Sequence, residues 1–344
     1  MDTALTPQPT ASAPGPTGLT APLHLLHKPN TPEGFLLDAT APVEQHFALS
    51  AELPSRHGTF NDGPGTFHDL LFVAETLCQA IHFVAHQYFR VPPDRRAIFD
   101  SSGLDVLDLA PWRRTGRPAH ITLDITLTPV DVVDGVPRVL DCRSDVAIDG
   151  VSCGRASARL QFLMPEEYRS HRELGRQESL RSTTPASRPP LSRTSPGGAA
   201  ETEQPAVRPE LVGRGSPRNV LVGPPLRVTH GEFVLPLAPE PGHEVFGASP
   251  EDHVPGRVFL EASRQASLLV AAEQHGLRPA HAVMTRLRVS FRGFGDSDLP
   301  VTCTVTSQDP ARDDAGRPTV RTRLAFSQGS RVLCTASTVL LQDC

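Results

Sequence analysis

Aromatic side chains are scarce in this chain: 344 residues hold 15 Phe, two Tyr and one Trp. Excess positive charge is also lacking, with a formal net charge of -5 at pH 7. No basic stripe interleaved with rings can be traced, so a nucleic-acid partner is not expected. No apolar run approaches the roughly 18 residues that a membrane-spanning helix needs. The opening segment MDTALTPQPTASAPGPTG has neither a basic n-region nor an apolar h-region, which argues against a secretory leader. The six cysteines form no CxxC pair, and their spacing fits neither a zinc knuckle nor a small disulfide framework. Free thiols in a cytoplasmic protein are the simplest expectation, with no metal, no other cofactor and no membrane partner.

Proline and glycine are abundant instead, at 35 and 26, and cluster in two places. Residues 1–22 are Pro/Thr/Ala/Gly-rich without periodicity, and read as a flexible tail. Residues 169–218 contain no Phe, Tyr or Trp and carry SRPPLSRTSPGGAAETEQP, which reads as a disordered linker whose arginines are solvated. The remainder divides into 23–168 and 219–344.

These two parts match each other. A gapless slide of 186 residues aligns Phe47 with Phe233, Leu49 with Leu235, His57 with His243 and Phe60 with Phe246. It also aligns Pro64 with Pro250, Glu75 with Glu261, Gln79 with Gln265 and Ala80 with Ala266. Eight identities in 34 residues exceed chance, and the polar ones are the hardest to attribute to composition.

Each copy begins with short alternating runs, 35–38 and 46–53 in the first, 219–223 and 232–237 in the second. One long helix follows, at 69–88 and 256–275, apolar on nearly every face and so expected to be enclosed. Asp69 suits the first helix as a cap, and Gly276 suits the end of the second. Longer strands come next, at 120–127, 137–148 and 156–163, then at 281–291, 299–308, 318–328 and 331–341. Asp134-Gly135, Asp149-Gly150 and Gln328-Gly329 supply hairpin turns. A buried helix wrapped by an antiparallel sheet is the hot-dog arrangement. Two copies predict an α+β double hot-dog, an internal pseudo-dimer that can act as a monomer.

Polar groups on these oily helices need an explanation. Glu75 and Gln79 sit one turn apart, as do Glu261 and Gln265, with Arg264 on the same side as Glu261. Either a substrate faces them, or Glu261 and Arg264 form a buried ion pair that locks the copies together. Asp252-His253-Val254-Pro255-Gly256 leads into the second helix, whose first N–H groups could stabilise a developing oxyanion. His253 could instead be an exposed loop histidine, and His57 could cap or meet substrate. Cys78 replaces Arg264 in the first copy and reads as packing before nucleophile.

The segment 252–266, of the form DHxPGxxxLEAxRQA, resembles the second repeat of the A-factor biosynthesis family. HKPNTPEGFLLD (27–38), SRHGTFND (55–62) and AETLCQA (74–80) are similar to its first repeat, although Cys78 departs from the arginine often found there. The resemblance implies a β-ketoacyltransferase. The acyl group would pass from an acyl carrier protein thioester to dihydroxyacetone phosphate, giving precursors of γ-butyrolactone signals that govern antibiotic production. On that reading Glu261 takes the proton from the attacking hydroxyl, and Arg264 reads a phosphate or β-keto oxygen. Gly256 holds the oxyanion, His253 as a catalytic group and Asp252 beside it polarise or position substrate, Gln265 and Gln79 align groups, and Glu75 completes the pocket. A dehydratase, a thioesterase and a non-catalytic lipid-binding homologue remain open.

Overall fold

A computed structural model describes residues 36–39, 45–182, 206–247 and 253–343 of the chain. The tail expected at 1–22 lies outside them.

The first copy runs β1 (Leu36–Ala39), β2 (His46–Leu53), α1 (Leu70–Gln87), β3 (Arg96–Val106), β4 (Ala119–Val133), β5 (Val136–Ile148) and β6 (Val151–Leu163). After α2 (Pro165–Ser182), the second copy runs β7 (Leu226–Thr229), β8 (Glu232–Leu237), α3 (Gly256–His275), β9 (Ala282–Phe291) and β10 (Val301–Ser307). It closes with β11 (Ala311–Arg312), β12 (Pro318–Gln328) and β13 (Arg331–Gln342). The strands join in one antiparallel sheet of order β1-β2-β4-β5-β6-β3-β9-β13-β12-β10-β8-β7, with β11 beside β12. The copies meet at the β3–β9 pairing, where Ser102 faces Val289 and Leu104 faces Leu287. This is the double hot-dog predicted above.

Alternation explains the wrapping. In β2, Phe47, Leu49, Ala51 and Leu53 are buried, and in β4 Ile121, Leu123, Ile125 and Leu127. Their partners at the intervening positions point outward, so only one face of the sheet is greasy. That face closes over α1, which buries Phe72, Val73, Ile81 and Val84 completely or nearly so. Each such side chain contributes about 1.5–3 kcal/mol. Asp69 caps α1 by accepting from the Leu71 amide at 3.0 Å. Gly276 ends α3 at φ 70°, a conformation that a Cβ would strain. Asp134-Gly135 and Asp149-Gly150 turn with positive φ at both residues.

Several expectations change. The 219–223 run is not a strand: Pro217–Asn219 forms a 3-10 turn, and Val222 makes only an isolated bridge to Leu237. β3 and β7 arise where no strand was expected.

The linker boundaries are corrected too. α2 covers 165–182, and residues 206–218 are packed, with Val212 and Arg214 buried. α2 escapes a periodicity reading because ion pairs hold it rather than an apolar stripe. Arg176 forks onto Asp298 at 2.7 and 2.8 Å, and Arg331 donates to the Gly175 carbonyl at 3.0 Å. Two of the arginines read as solvated, Arg172 and Arg176, therefore meet Asp296 and Asp298. The rest of that stretch, 183–205, lies outside the described residues.

Candidate active site

The two long helices present the same polar pair to two different surroundings. Glu75 and Gln79 lie on α1, with Gln79 donating to Glu75 Oε1 at 3.0 Å. Glu75, Cys78 and His82, spaced three and four apart, line a cavity of about 250 Å³. The other wall comes from the second copy. His253, Pro255, Gly256 and Arg257 at the start of α3 complete it, with Phe246 and Gly247 from the preceding loop. Arg96 and Phe99 of β3 and Tyr168 of α2 close the remaining sides.

The α3 entry is shaped for close approach. Pro255 stands before the helix in extended geometry, and among the described residues no side chain caps the first turn. A Cβ at Gly256 would meet the Phe291 ring at 3.4 Å, so glycine keeps this corner of the cavity open. The Tyr168 hydroxyl and His253 Nδ1 are 2.8 Å apart. Phe294 meets the imidazole edge to face at 4.7 Å between centroids. On α1, Cys78 Sγ lies 3.6 Å from His82 Nδ1, which itself meets the Cys78 carbonyl at 2.7 Å.

Glu261 has a different fate. Its side chain is fully buried, away from the cavity. Arg214 donates to both its oxygens at 2.7 and 2.6 Å, and Arg264 does so at 2.7 and 2.9 Å. Gln265 adds a further donor. Burial alone would raise the carboxyl pKa, but the Arg214 and Arg264 charges outweigh it and hold it at about 2. A carboxylate so saturated cannot collect a proton from substrate. The general-base assignment of Glu261 is therefore corrected, and so is the phosphate-reading role of Arg264, whose fork is spent on Glu261.

Arg214 links the copies. Its Nη1 meets Asp69 Oδ2 at 2.7 Å, Asp62 Oδ1 at 3.3 Å and the Thr59 carbonyl at 2.9 Å. Burial disfavours its charge, yet Glu261, Asp69 and Asp62 raise its pKa above the usual guanidinium value. The buried ion-pair alternative for Glu261 and Arg264 thus holds, with Arg214 as the member that sequence reading missed. Its only signal was an arginine in a segment otherwise read as solvated.

The pseudo-symmetry makes the contrast exact in register. A second, smaller hollow of about 80 Å³ lies where α3 faces the start of α1. Arg264 and Leu268 line it opposite Phe67, Asp69 and Leu70, which are the counterparts of His253, Pro255 and Gly256. Gly213 and Arg214 fill it from the chain leading into the second copy. One of two equivalent sites is open, and the other is plugged by the chain itself.

The remaining predicted residues separate accordingly. Gln265 accepts from the Leu221 amide at 2.8 Å and donates to the Asn219 carbonyl at 2.6 Å, so it braces the second copy. Gln79 is buried behind Glu75. His57 is not among the cavity-lining residues. Its Nδ1 accepts from the Thr59 and Phe60 amides at 3.0 and 3.1 Å, just as His243 accepts from Val245 and Phe246 at 3.1 and 3.0 Å. The shared histidine is a turn-holding device. Asp252 lies outside the described residues. Among those residues no group of three or more His, Cys, Asp or Glu could hold a metal ion, and no helix is long and apolar enough to cross a membrane.

One continuous sheet around two enclosed helices, with a cleft where the start of one helix faces the side of the other, defines a double hot-dog protein. The chain belongs to the A-factor biosynthesis hotdog domain family, whose model matches residues 10–164 and 199–341. It is 26% identical over 323 residues to a 2-oxo-3-(phosphooxy)propyl 3-oxoalkanoate synthase of Streptomyces coelicolor, covering 93% of this chain and 91% of that protein. It is also 26% identical to the Streptomyces griseus synthase of the same name, over 85% of this chain and 87% of the other. A crystal structure assigned as a thioesterase from Novosphingobium aromaticivorans superposes with a TM-score of 0.50 at 11% identity. It covers 89% of this chain and 98% of the other, and shows the fold alone.

Proposed function

We propose that the chain is a cytoplasmic acyltransferase that moves a β-ketoacyl group from an acyl carrier protein thioester to a hydroxyl of dihydroxyacetone phosphate. The observation that carries this reading is one cavity joining Glu75 of the first copy to the Gly256 entry of the second. The relatives' name describes the ester such a reaction yields, a 3-oxoalkanoate of a phosphorylated three-carbon ketone. That ester would be a precursor of a γ-butyrolactone signal.

In this mechanism the acyl carbonyl rests against the first turn of α3. The hydroxyl oxygen attacks the carbonyl carbon while Glu75 accepts its proton. The oxyanion is met by helix N–H groups near Gly256, whose dipole end carries partial positive charge. Collapse breaks the C–S bond, and the thiolate leaves with the proton returned from Glu75. Gln79 orients Glu75 from behind, and Tyr168 positions His253 at the rim. Apolar side chains such as Leu71, Ala74 and Leu260 shape the wall against which the acyl chain lies.

The test adds dihydroxyacetone phosphate to purified protein and a β-ketoacyl carrier protein. Thiol release that depends on the acceptor, with the phosphorylated ester seen by mass spectrometry, supports the reading. Equal release without acceptor would mark a thioesterase, and loss of water from a 3-hydroxyacyl donor would mark a dehydratase. Lipid binding with no turnover would mark a non-catalytic homologue.

A further inference from the structure

Two arginines line the open cavity, one from each copy, and neither forms an ion pair among the described residues. Arg257 lies in the first turn of α3, half-buried, with Nε donating to the Val245 carbonyl. That bond fixes the guanidinium plane and leaves its terminal nitrogens for another group. Arg96 opens β3 at the cavity mouth, and its guanidinium lies 5.8 Å from the centre of the Tyr168 ring. Arginine elsewhere in this molecule finds carboxylates: Arg159, Arg176, Arg214, Arg264, Arg286 and Arg288 all do.

The duplication supplies an internal control. The register that matches Glu75 with Glu261 matches Arg257 with Leu71 and Arg96 with Ala282. Strand and helix starts agree with it, since α1 and α3 begin at 70 and 256 and β3 and β9 at 96 and 282. The carboxylate–amide pair is shared by both copies, whereas the two cations occur only around the open site. At the equivalent positions the plugged half of the molecule carries leucine and alanine.

We infer that Arg257 and Arg96 together bind the phosphate monoester of the acyl acceptor and set the preference for a phosphorylated alcohol. This rests on the acyltransferase reading above and deepens it. A guanidinium whose plane is fixed and whose terminal nitrogens meet no carboxylate among the described residues matches the oxygens of a phosphate two at a time. Arg264, the residue that the sequence favoured for this task, is tied to Glu261. A carrier's phosphopantetheine arm offers the same chemistry from a second source, so both sources belong in the test.

The experiment compares full-length protein with Arg257→Gln, Arg96→Gln and Arg257→Lys. Equilibrium dialysis measures labelled dihydroxyacetone phosphate on each. Steady-state kinetics use two acceptors, dihydroxyacetone phosphate and dihydroxyacetone, and two donors, a β-ketoacyl carrier protein and a β-ketoacyl N-acetylcysteamine thioester that has no phosphate. Each glutamine variant should weaken binding and raise the acceptor KM about tenfold or more, the size of one lost charge-assisted contact. kcat should move little, the preference over dihydroxyacetone should collapse, and lysine should rescue in part. Unchanged discrimination, or a loss seen only with the carrier-protein donor, would overturn the inference. Wild-type protein that binds dihydroxyacetone phosphate in an arginine-dependent way, yet never acylates it, would refute the acyltransferase reading and leave the phosphate site standing.

Discussion

Replacing Glu261 by glutamine separates a structural carboxylate from a catalytic one. The substitution keeps shape but removes, among the described residues, the only carboxylate that Arg264 contacts and one of three that surround Arg214. It also turns an amide N–H₂ toward a ring of donors. The folded carboxyl sits at about 2 against its usual 4.5, because two guanidiniums outweigh the cost of burial. At about 1.4 kcal/mol per tenfold change in proton affinity, the charged form gains about 3 kcal/mol from folding. Breaking one partner out of a buried ion pair costs about 3–5 kcal/mol by general experience, so the two arguments agree.

We therefore expect Glu261→Gln to lose about 3–5 kcal/mol in guanidinium unfolding. Glu75→Gln should behave oppositely, with turnover reduced about 10²-fold or more and stability changed by less than about 1 kcal/mol. Both are read on one preparation, by unfolding followed by circular dichroism and by acceptor-dependent thiol release below the unfolding transition. If Glu261→Gln unfolds like the parent but has lost turnover a hundredfold, the lock is wrong and Glu261 is the base after all. Normal turnover in Glu75→Gln would equally remove Glu75 from the chemistry.

Other outcomes follow from the same contacts. Stability should fall in two acid windows, because both groups concerned bind fewer protons folded than unfolded. His68, lowered to about 4 by burial and then by Arg114, gives up its contribution as pH drops from about 6.5; Glu261 does so as pH drops from about 4.5 toward 2. A pH series of unfolding midpoints that is flat from 7 to 3 would contradict this. Gly63→Ala would set a Cβ 2.2 Å from the Gly213 carbonyl, backbone against backbone, and should cost about 1–3 kcal/mol by calorimetry while leaving the open cavity untouched. A bulky maleimide on Cys78 should block turnover, with protection in Cys78→Ser. Cys142, Cys153, Cys303 and Cys334, whose pKa values burial raises, should stay unlabelled by mass spectrometry.

Most of the fold could be read from alternation and from the repeat, because both record one-sided burial. β8 and α3 fall on the residues expected, 232–237 and 256–275. What escaped reading is what burial does not pattern. α2 is held by Arg176, Arg331 and Asp298, and such pairs leave no period in the sequence. β3 breaks its alternation with Asp100, Ser101 and Ser102, since it lies at the seam between the copies and its register shifts near there. The site was half legible. Glu75, His253 and Gly256 do share a cavity, but the sequence could not tell which of two equal carboxylates faces that cavity. That choice is made by Arg214, which is remote in sequence from both helices it joins.

The divergence between the copies now has a physical logic. An ancestral pair of equivalent sites would place a carboxylate on each helix, facing the entry of the other. In this chain Arg214 and Arg264 surround one of the two and hold it in its charged form, and the hollow beside it measures about 80 Å³. A site closed by a buried ion network can no longer bind an acyl chain, but it can fix the angle at which the copies meet. The open site depends on that angle, because its walls come from both copies: α1 supplies the carboxylate and α3 the helix entry. Cys78 stands on α1 at the register position that Arg264 holds on α3, so α1 carries no arginine three residues beyond its cavity-lining carboxylate. Introducing the closed-site residue there, Cys78→Arg, should therefore silence turnover without unfolding the protein. Activity retained in that variant would mean that an arginine at this register position does not by itself close a site.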